Sequence, residues 1–181
     1  PPGLGKSTTA GLMALSMYCG VETLWPVLNL RRVLYVNLER SKRSMELRLA
    51  SWNNALGLKD ATLPMINARG RRLPDIYDSV RAACRRRGTE VLILDSISRA
   101  GFGRLTEDTS ANEIIDQLNS LCDCWLAIGH TPRDDGTHIY GSQMFDAGMD
   151  IGVAAIPGEN GSKQAVGLRM TKANDMRKSP L

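Results

Sequence analysis

The chain opens Pro1-Pro2-Gly3-Leu4-Gly5-Lys6-Ser7-Thr8. Glycines at this spacing let backbone N–H groups turn inward around phosphate oxygens. Lys6 would set an ammonium against the terminal phosphates, and Ser7 would offer a hydroxyl to a magnesium ion. A helix is expected to begin at once, over 7–19, so its positive end points at the same anion. Pro2, Gly3, Leu4, Gly5, Lys6, Ser7 and Thr8 are therefore the candidate nucleotide-binding residues, with ATP and Mg2+ as the implied cofactors. The pattern is GxxxxGK[ST] without its first glycine, which would precede Pro1. The strand that feeds such a loop is expected before Pro1 too, so we read the chain as a fragment that would be poorly stable alone.

Further polar groups end apolar runs. Val91-Leu92-Ile93-Leu94 stops at Asp95, as in a Walker B strand, where a rigid buried strand holds a carboxylate beside the metal. Leu34-Tyr35-Val36-Asn37-Leu38 stops at Glu39. Ser96, not an acid, follows Asp95, so Glu39 is the better candidate for activating water. Trp125-Leu126-Ala127-Ile128-Gly129 stops at His130, a group able to sense a terminal phosphate. Lys6, Glu39, Asp95 and His130 form the candidate catalytic set, with Ser7 and Asp95 serving the metal. Each has a plainer alternative: a turn or cap for Asp95, ion pairs with Arg40 and Lys42 for Glu39, a structural cap for His130.

The elements that must position these groups follow from hydrophobic periodicity. Helices are expected over 7–19, 44–56, 75–87 and 111–121, with Gly20, Gly57 and Gly88 as stops. On the second helix Met45, Leu47, Leu49, Trp52 and Leu56 are the expected apolar positions. Strands are expected over 33–38, 63–67, 91–94 and 125–129. The stretches 99–110 and 131–141 read as polar loops. Strands at 150–156 and 165–171 should close as an antiparallel hairpin, turning at Pro157, Gly158, Asn160 and Gly161. Apolar strands alternating with amphipathic helices predict one α/β domain over 1–181, with a mainly parallel twisted sheet flanked by helices. In such sheets ligands bind beyond the carboxyl ends of the strands, where Glu39, Asp95 and His130 would stand.

Bulk properties narrow the partners. The chain has 181 residues, 43% of them apolar and 23% charged, with a formal net charge of +4. That excludes general disorder and permits a polyanion without demanding one. No apolar run is long enough to span a membrane. Arg69, Arg71 and Arg72 form one basic cluster and Arg85, Arg86 and Arg87 another, open either to a solvated loop and helix end or to a phosphate contact. The four cysteines, Cys19, Cys84, Cys122 and Cys124, lack zinc spacing and fit reduced thiols in a cytoplasmic protein.

In order along the chain, Gly3-Leu4-Gly5-Lys6-Ser7-Thr8, Val33 to Glu39, Leu92 to Asp95, Ile128-Gly129-His130-Thr131 and Tyr140-Gly141-Ser142 resemble the RepA-like hexameric helicase ATPases. These belong to the DnaB/RecA-like group of P-loop NTPases, often described as AAA-family ATPases. The resemblance implies a RecA-like fold, a homo-oligomeric ring and ATP hydrolysis. It also implies the roles given above for Glu39, Asp95 and His130. A late-strand Lys-x-Arg pair that reaches a neighbour's ATP has Lys172 here but Asn174 in place of Arg, leaving Arg177 as a substitute. Single-stranded DNA would meet loops carrying Arg99, Arg104 and Arg133, where Phe102 and Tyr140 are nearly alone as stacking groups. The same residues would also suit a recombinase- or clock-type ATPase that remodels protein partners. A small-molecule kinase, or a switch that binds ATP without hydrolysis, fits them less well.

Overall fold

In the computed structural model, residues 5–101, 103–131, 139–160 and 163–174 are described. The order is α1 (Lys6–Cys19), β1 (Val33–Asn37), α2 (Lys42–Leu56), β2 (Met65–Asn67), α3 (Leu73–Arg87) and β3 (Val91–Asp95). Then come α4 (Asp108–Leu121), β4 (Trp125–Ile128), α5 (Gln143–Gly148), β5 (Ile151–Asn160) and β6 (Lys163–Ala173).

The first four strands form one parallel sheet in the order β2-β1-β3-β4. Every residue of β1 and β3 is buried, because helices cover both faces. Alternation sorts their side chains between two cores. Leu34, Val36, Leu92 and Leu94 pack with Leu73, Val80, Ile114 and Leu118 of α3 and α4. Val33, Tyr35, Val91 and Ile93 pack with Ala14 and Leu15 of α1 and Met45, Trp52 and Leu56 of α2. The sheet is thus the middle of three layers, and the molecule has the α/β, RecA-like architecture expected of it.

β1 and β3 are in register from Val33↔Val91 to Asn37↔Asp95, and Asp95 pairs with Ile128 of β4. Parallel strands ending level bring the residues that follow them to one edge. Helix stops fall where expected: Gly20, Gly57 and Gly88 adopt left-handed conformations that return the chain to the sheet.

Several expectations need correction. The second strand is only Met65–Asn67, with Leu63 buried ahead of it. Leu47 is 66% exposed, because α2 presents Met45, Trp52 and Leu56 inward instead. The fourth helix begins at Asp108, three residues earlier than expected, and a 3-10 turn at Ile97–Arg99 opens the 99–110 stretch, whose described middle is loop. The short helix α5 was not foreseen; Phe145 is its one buried residue, too little for a periodic signal. The hairpin is antiparallel as expected, but Pro157 and Gly158 do not turn it. They pair with Val166 and Ala165, and the ladder continues to Asn160↔Lys163. A two-stranded ribbon has outer edges where proline's missing N–H costs nothing.

Among the described residues no helix is long and apolar enough to cross a membrane. Cys84 and Cys122 are buried free thiols, Cys19 is half-buried and Cys124 exposed. Arg72 pairs with Asp75 at 3.3 Å at the start of α3, while Arg85, Arg86 and Arg87 occupy its last turn.

Candidate functional site

Gly5 precedes α1 with φ 77°, ψ 7°, a left-handed conformation that disfavours any side chain. A Cβ there would also stand 3.3 Å from Cγ2 of Val166. No acidic residue occupies the first turn of α1, so its positive end is uncompensated by the helix itself. Lys6, Ser7 and Thr8 follow on that turn and line a pocket of about 300 Å3. Pro2, Gly3 and Leu4 lie outside the described residues.

Asp95 ends β3, only 1% exposed. Its Oδ1 accepts from Ser7 Oγ at 3.1 Å and its Oδ2 from the Tyr35 hydroxyl at 2.8 Å. Burial raises the Asp95 pKa above the ordinary carboxylate value, against the opposing pull of these two hydrogen bonds. Tyr35 is fully buried beside that carboxylate, and burial together with the neighbouring charge pushes its own pKa well up. It therefore stays a neutral donor.

Glu39 stands on the turn after β1, and Asn37 builds that turn. The buried Asn37 Oδ1 accepts from the backbone N–H groups of Glu39 at 3.2 Å and Arg40 at 2.8 Å. Oε1 of Glu39 accepts from Ser96 Oγ at 2.5 Å and Ser98 Oγ at 3.2 Å. Nε2 of His130 lies 4.0 Å away. Burial favours the protonated acid, but the serine hydroxyls, His130 and Arg40 outweigh it and hold the Glu39 pKa below its usual value. The carboxylate is ionised at neutral pH.

His130 closes the cluster. Its Nδ1 lies 3.5 Å from Lys6 Nζ. Burial and the Lys6 charge lower the imidazole's pKa, favouring the neutral ring. A neutral ring accepting from Lys6 at Nδ1 carries its proton on Nε2, the nitrogen facing Glu39. Desolvation also lowers the Lys6 pKa, with Glu39 and Asp95 opposing it.

Lys6, Ser7, Glu39, Asp95 and His130 thus line one pocket at the carboxyl edge of the sheet. The residues fit a magnesium ion on this structure's own evidence. Ser7 and Asp95 offer hard oxygens side by side, and Asp95 is a buried carboxylate in need of a cation. Among the described residues no three acidic, His or Cys groups gather into a metal-binding cluster.

Other candidates stand apart. Lys172 donates to the carbonyls of Asp146 at 2.5 Å and Ala147 at 3.3 Å, at the end of α5. Arg99 and Arg104 are exposed outside the pocket, and Arg133 and Arg177 lie outside the described residues. The stretch 99–110, expected to face DNA, is tied to the start of α5: Ser142 N–H donates to the Leu105 carbonyl at 2.7 Å, and Ser142 Oγ to Asp108 at 2.5 Å.

Sequence reasoning missed four contributors. Tyr35 reads as one more apolar strand residue, although a strand ending level with its neighbour already places it near Asp95. Ser96 and Ser98 carried no signal, since their hydroxyls matter only through a partner 57 residues away or more. Arg48 of α2, set between two leucines, lines the same pocket.

A search among curated proteins finds no match. A family model described as AAA domain matches residues 1–135 of the 181. That span contains the phosphate loop and every strand of the parallel sheet, and the chain belongs to this AAA domain family, of P-loop ATPase type.

Proposed function

We propose that this chain hydrolyses ATP with magnesium and uses the cycle to drive a DNA-linked motor of the RepA/DnaB-like helicase kind. One observation carries the hydrolytic reading: Ser7 and Asp95 in contact on one side of the pocket, and an ionised Glu39 facing Lys6 and His130 on the other. Lys6 and the start of α1 bind the terminal phosphates. Ser7 and Asp95 would hold a magnesium ion, which would supply neutralisation of charge on the phosphoryl oxygens. Glu39 takes the proton of the attacking water. The serine hydroxyls at 96 and 98 keep its carboxylate in one orientation and keep it ionised.

His130 bridges Lys6 and Glu39, so loss of the terminal phosphate changes its surroundings first. The chain beyond it returns at once: Tyr140 N–H donates to the His130 carbonyl at 2.6 Å. That link, continued through Ser142 to Leu105 and Asp108, supports a path from phosphate to the loops we assign to single-stranded DNA. The hexameric ring and the DNA substrate rest on the resemblance of the ordered motifs. Phosphate release with and without single-stranded DNA tests the motor. Stimulation by DNA is the expected result, and a rate indifferent to DNA at low salt removes the helicase reading while leaving the ATPase.

A further inference from the structure

Arg48 has no place in the mechanism above. It extends from α2 into the wall of the pocket that holds Lys6, Ser7, Glu39 and Asp95. Its Nη1 is buried without any hydrogen-bond partner. A guanidinium is always charged and carries five N–H donors in a planar fork. Burying one of its nitrogens unpaired is costly, and such a gap marks a missing acceptor.

The surroundings say what that acceptor is. Asp95 feels the Arg48 charge, but it accepts its hydrogen bonds from Ser7 and Tyr35 and none from the buried Arg48 Nη1. Glu39 is held by the serines. Neither carboxylate bonds the buried Arg48 nitrogen, and the pocket that Arg48 shares with Lys6 is the space we assign to phosphate. The fork of an arginine matches a phosphate's oxygens in pairs.

We propose that Arg48 is a nucleotide-binding residue that contacts the terminal phosphate of the bound triphosphate from within the same subunit. This rests on the ATPase reading of the pocket. It gives the site a second cation of its own beside Lys6 in the pocket lining. By contrast Lys172, the late-strand lysine, is occupied by the α5 carbonyls.

The test compares two ligands in the 181-residue chain. Arg48→Met keeps the length and apolar stem of the side chain and removes the charge. Calorimetric titration with Mg-ADP and with a non-hydrolysable Mg-ATP analogue reads the contact. A charge-assisted hydrogen bond to the terminal phosphate makes the variant bind the triphosphate about tenfold to a hundredfold more weakly, with ADP affinity nearly unchanged. Arg48→Lys should recover part of the loss. Equal loss for both ligands, or no loss for either, overturns the proposal, the first because Arg48 then only supports the fold. Failure of the unaltered chain, shown to be folded by circular dichroism, to bind either nucleotide sinks the ATPase reading instead.

Discussion

The edge of the parallel sheet and the β5–β6 hairpin are built on opposite terms. At the sheet edge each polar group is held by a partner from another element: Asp95 of β3 by Ser7 of α1 and Tyr35 of β1, Glu39 after β1 by Ser96 after β3. The hairpin is mostly its own partner. Its ladder is internal, and Ile151, Val153, Ile156 and Val166 are exposed. Its described ties to the body include Lys172 on the α5 carbonyls, while Asn174 on Asp150 closes the hairpin's own base. Chemistry that depends on placement within fractions of an ångström belongs where several elements fix each group. Among the described residues the hairpin supplies none of the groups that line the pocket, and it meets the phosphate loop where Val166 faces Gly5.

Substitutions sharpen that contrast. The largest effect is expected at Glu39. Glu39→Gln removes the proton acceptor while keeping shape, and should lower phosphate release by about 10²–10⁴-fold with nucleotide affinity nearly intact. An affinity loss of the same size would make Glu39 a binding residue.

Asp95→Asn is expected to slow hydrolysis about a hundredfold or more, since metal charge stabilisation is worth several kcal/mol. Its effect on stability should run the other way. The folded pKa of Asp95 is raised by burial, so the folded state holds that proton more tightly than the unfolded chain does. The cost of the bare carboxylate is present above the folded pKa and vanishes as pH falls through it. At pH 7 the nucleotide-free variant should therefore melt at a higher temperature than the parent. A lower Tm would show that the Tyr35 and Ser7 contacts outweigh desolvation.

Ser96→Ala is expected to cost about fivefold in rate at pH 7, the worth of one hydrogen bond of about 1 kcal/mol. Its diagnostic is the pH profile. Glu39 is held below its usual pKa, with Ser96 the largest stabiliser of its charge. The stability that this charge contributes is present above the ordinary carboxylate pKa and lost as pH falls through the folded value. Without Ser96 the acid limb of kcat/KM should move to higher pH; an unmoved limb would separate the serine from the carboxylate's titration. The smallest effect belongs to the hairpin, where Val153→Thr should leave stability within about 0.5 kcal/mol and phosphate release unchanged. A large rate change there would break the contrast.

The sequence made the sheet edge readable because β1 and β3 are buried on both faces. Their apolar runs are therefore nearly continuous and end sharply at Glu39 and Asp95. It concealed the groups that act across the fold. Arg48 sits on a helix whose polar positions all look like solvent sites, and Tyr35 hides a hydroxyl in an apolar run. Only the level ends of β1 and β3, a property of pairing, bring Ser96 to Glu39. The hairpin's turn was misplaced because Pro157 and Gly158 carry turn chemistry that an edge ladder also tolerates.

The central claim is that one triphosphate joins all of these groups. A structure of the chain with magnesium and a non-hydrolysable ATP analogue tests it most directly. The expected result places the terminal phosphate between Lys6, His130 and Glu39, with the metal beside Ser7 and Asp95. Nucleotide bound elsewhere, or Glu39 turned away from the terminal phosphate, would contradict it.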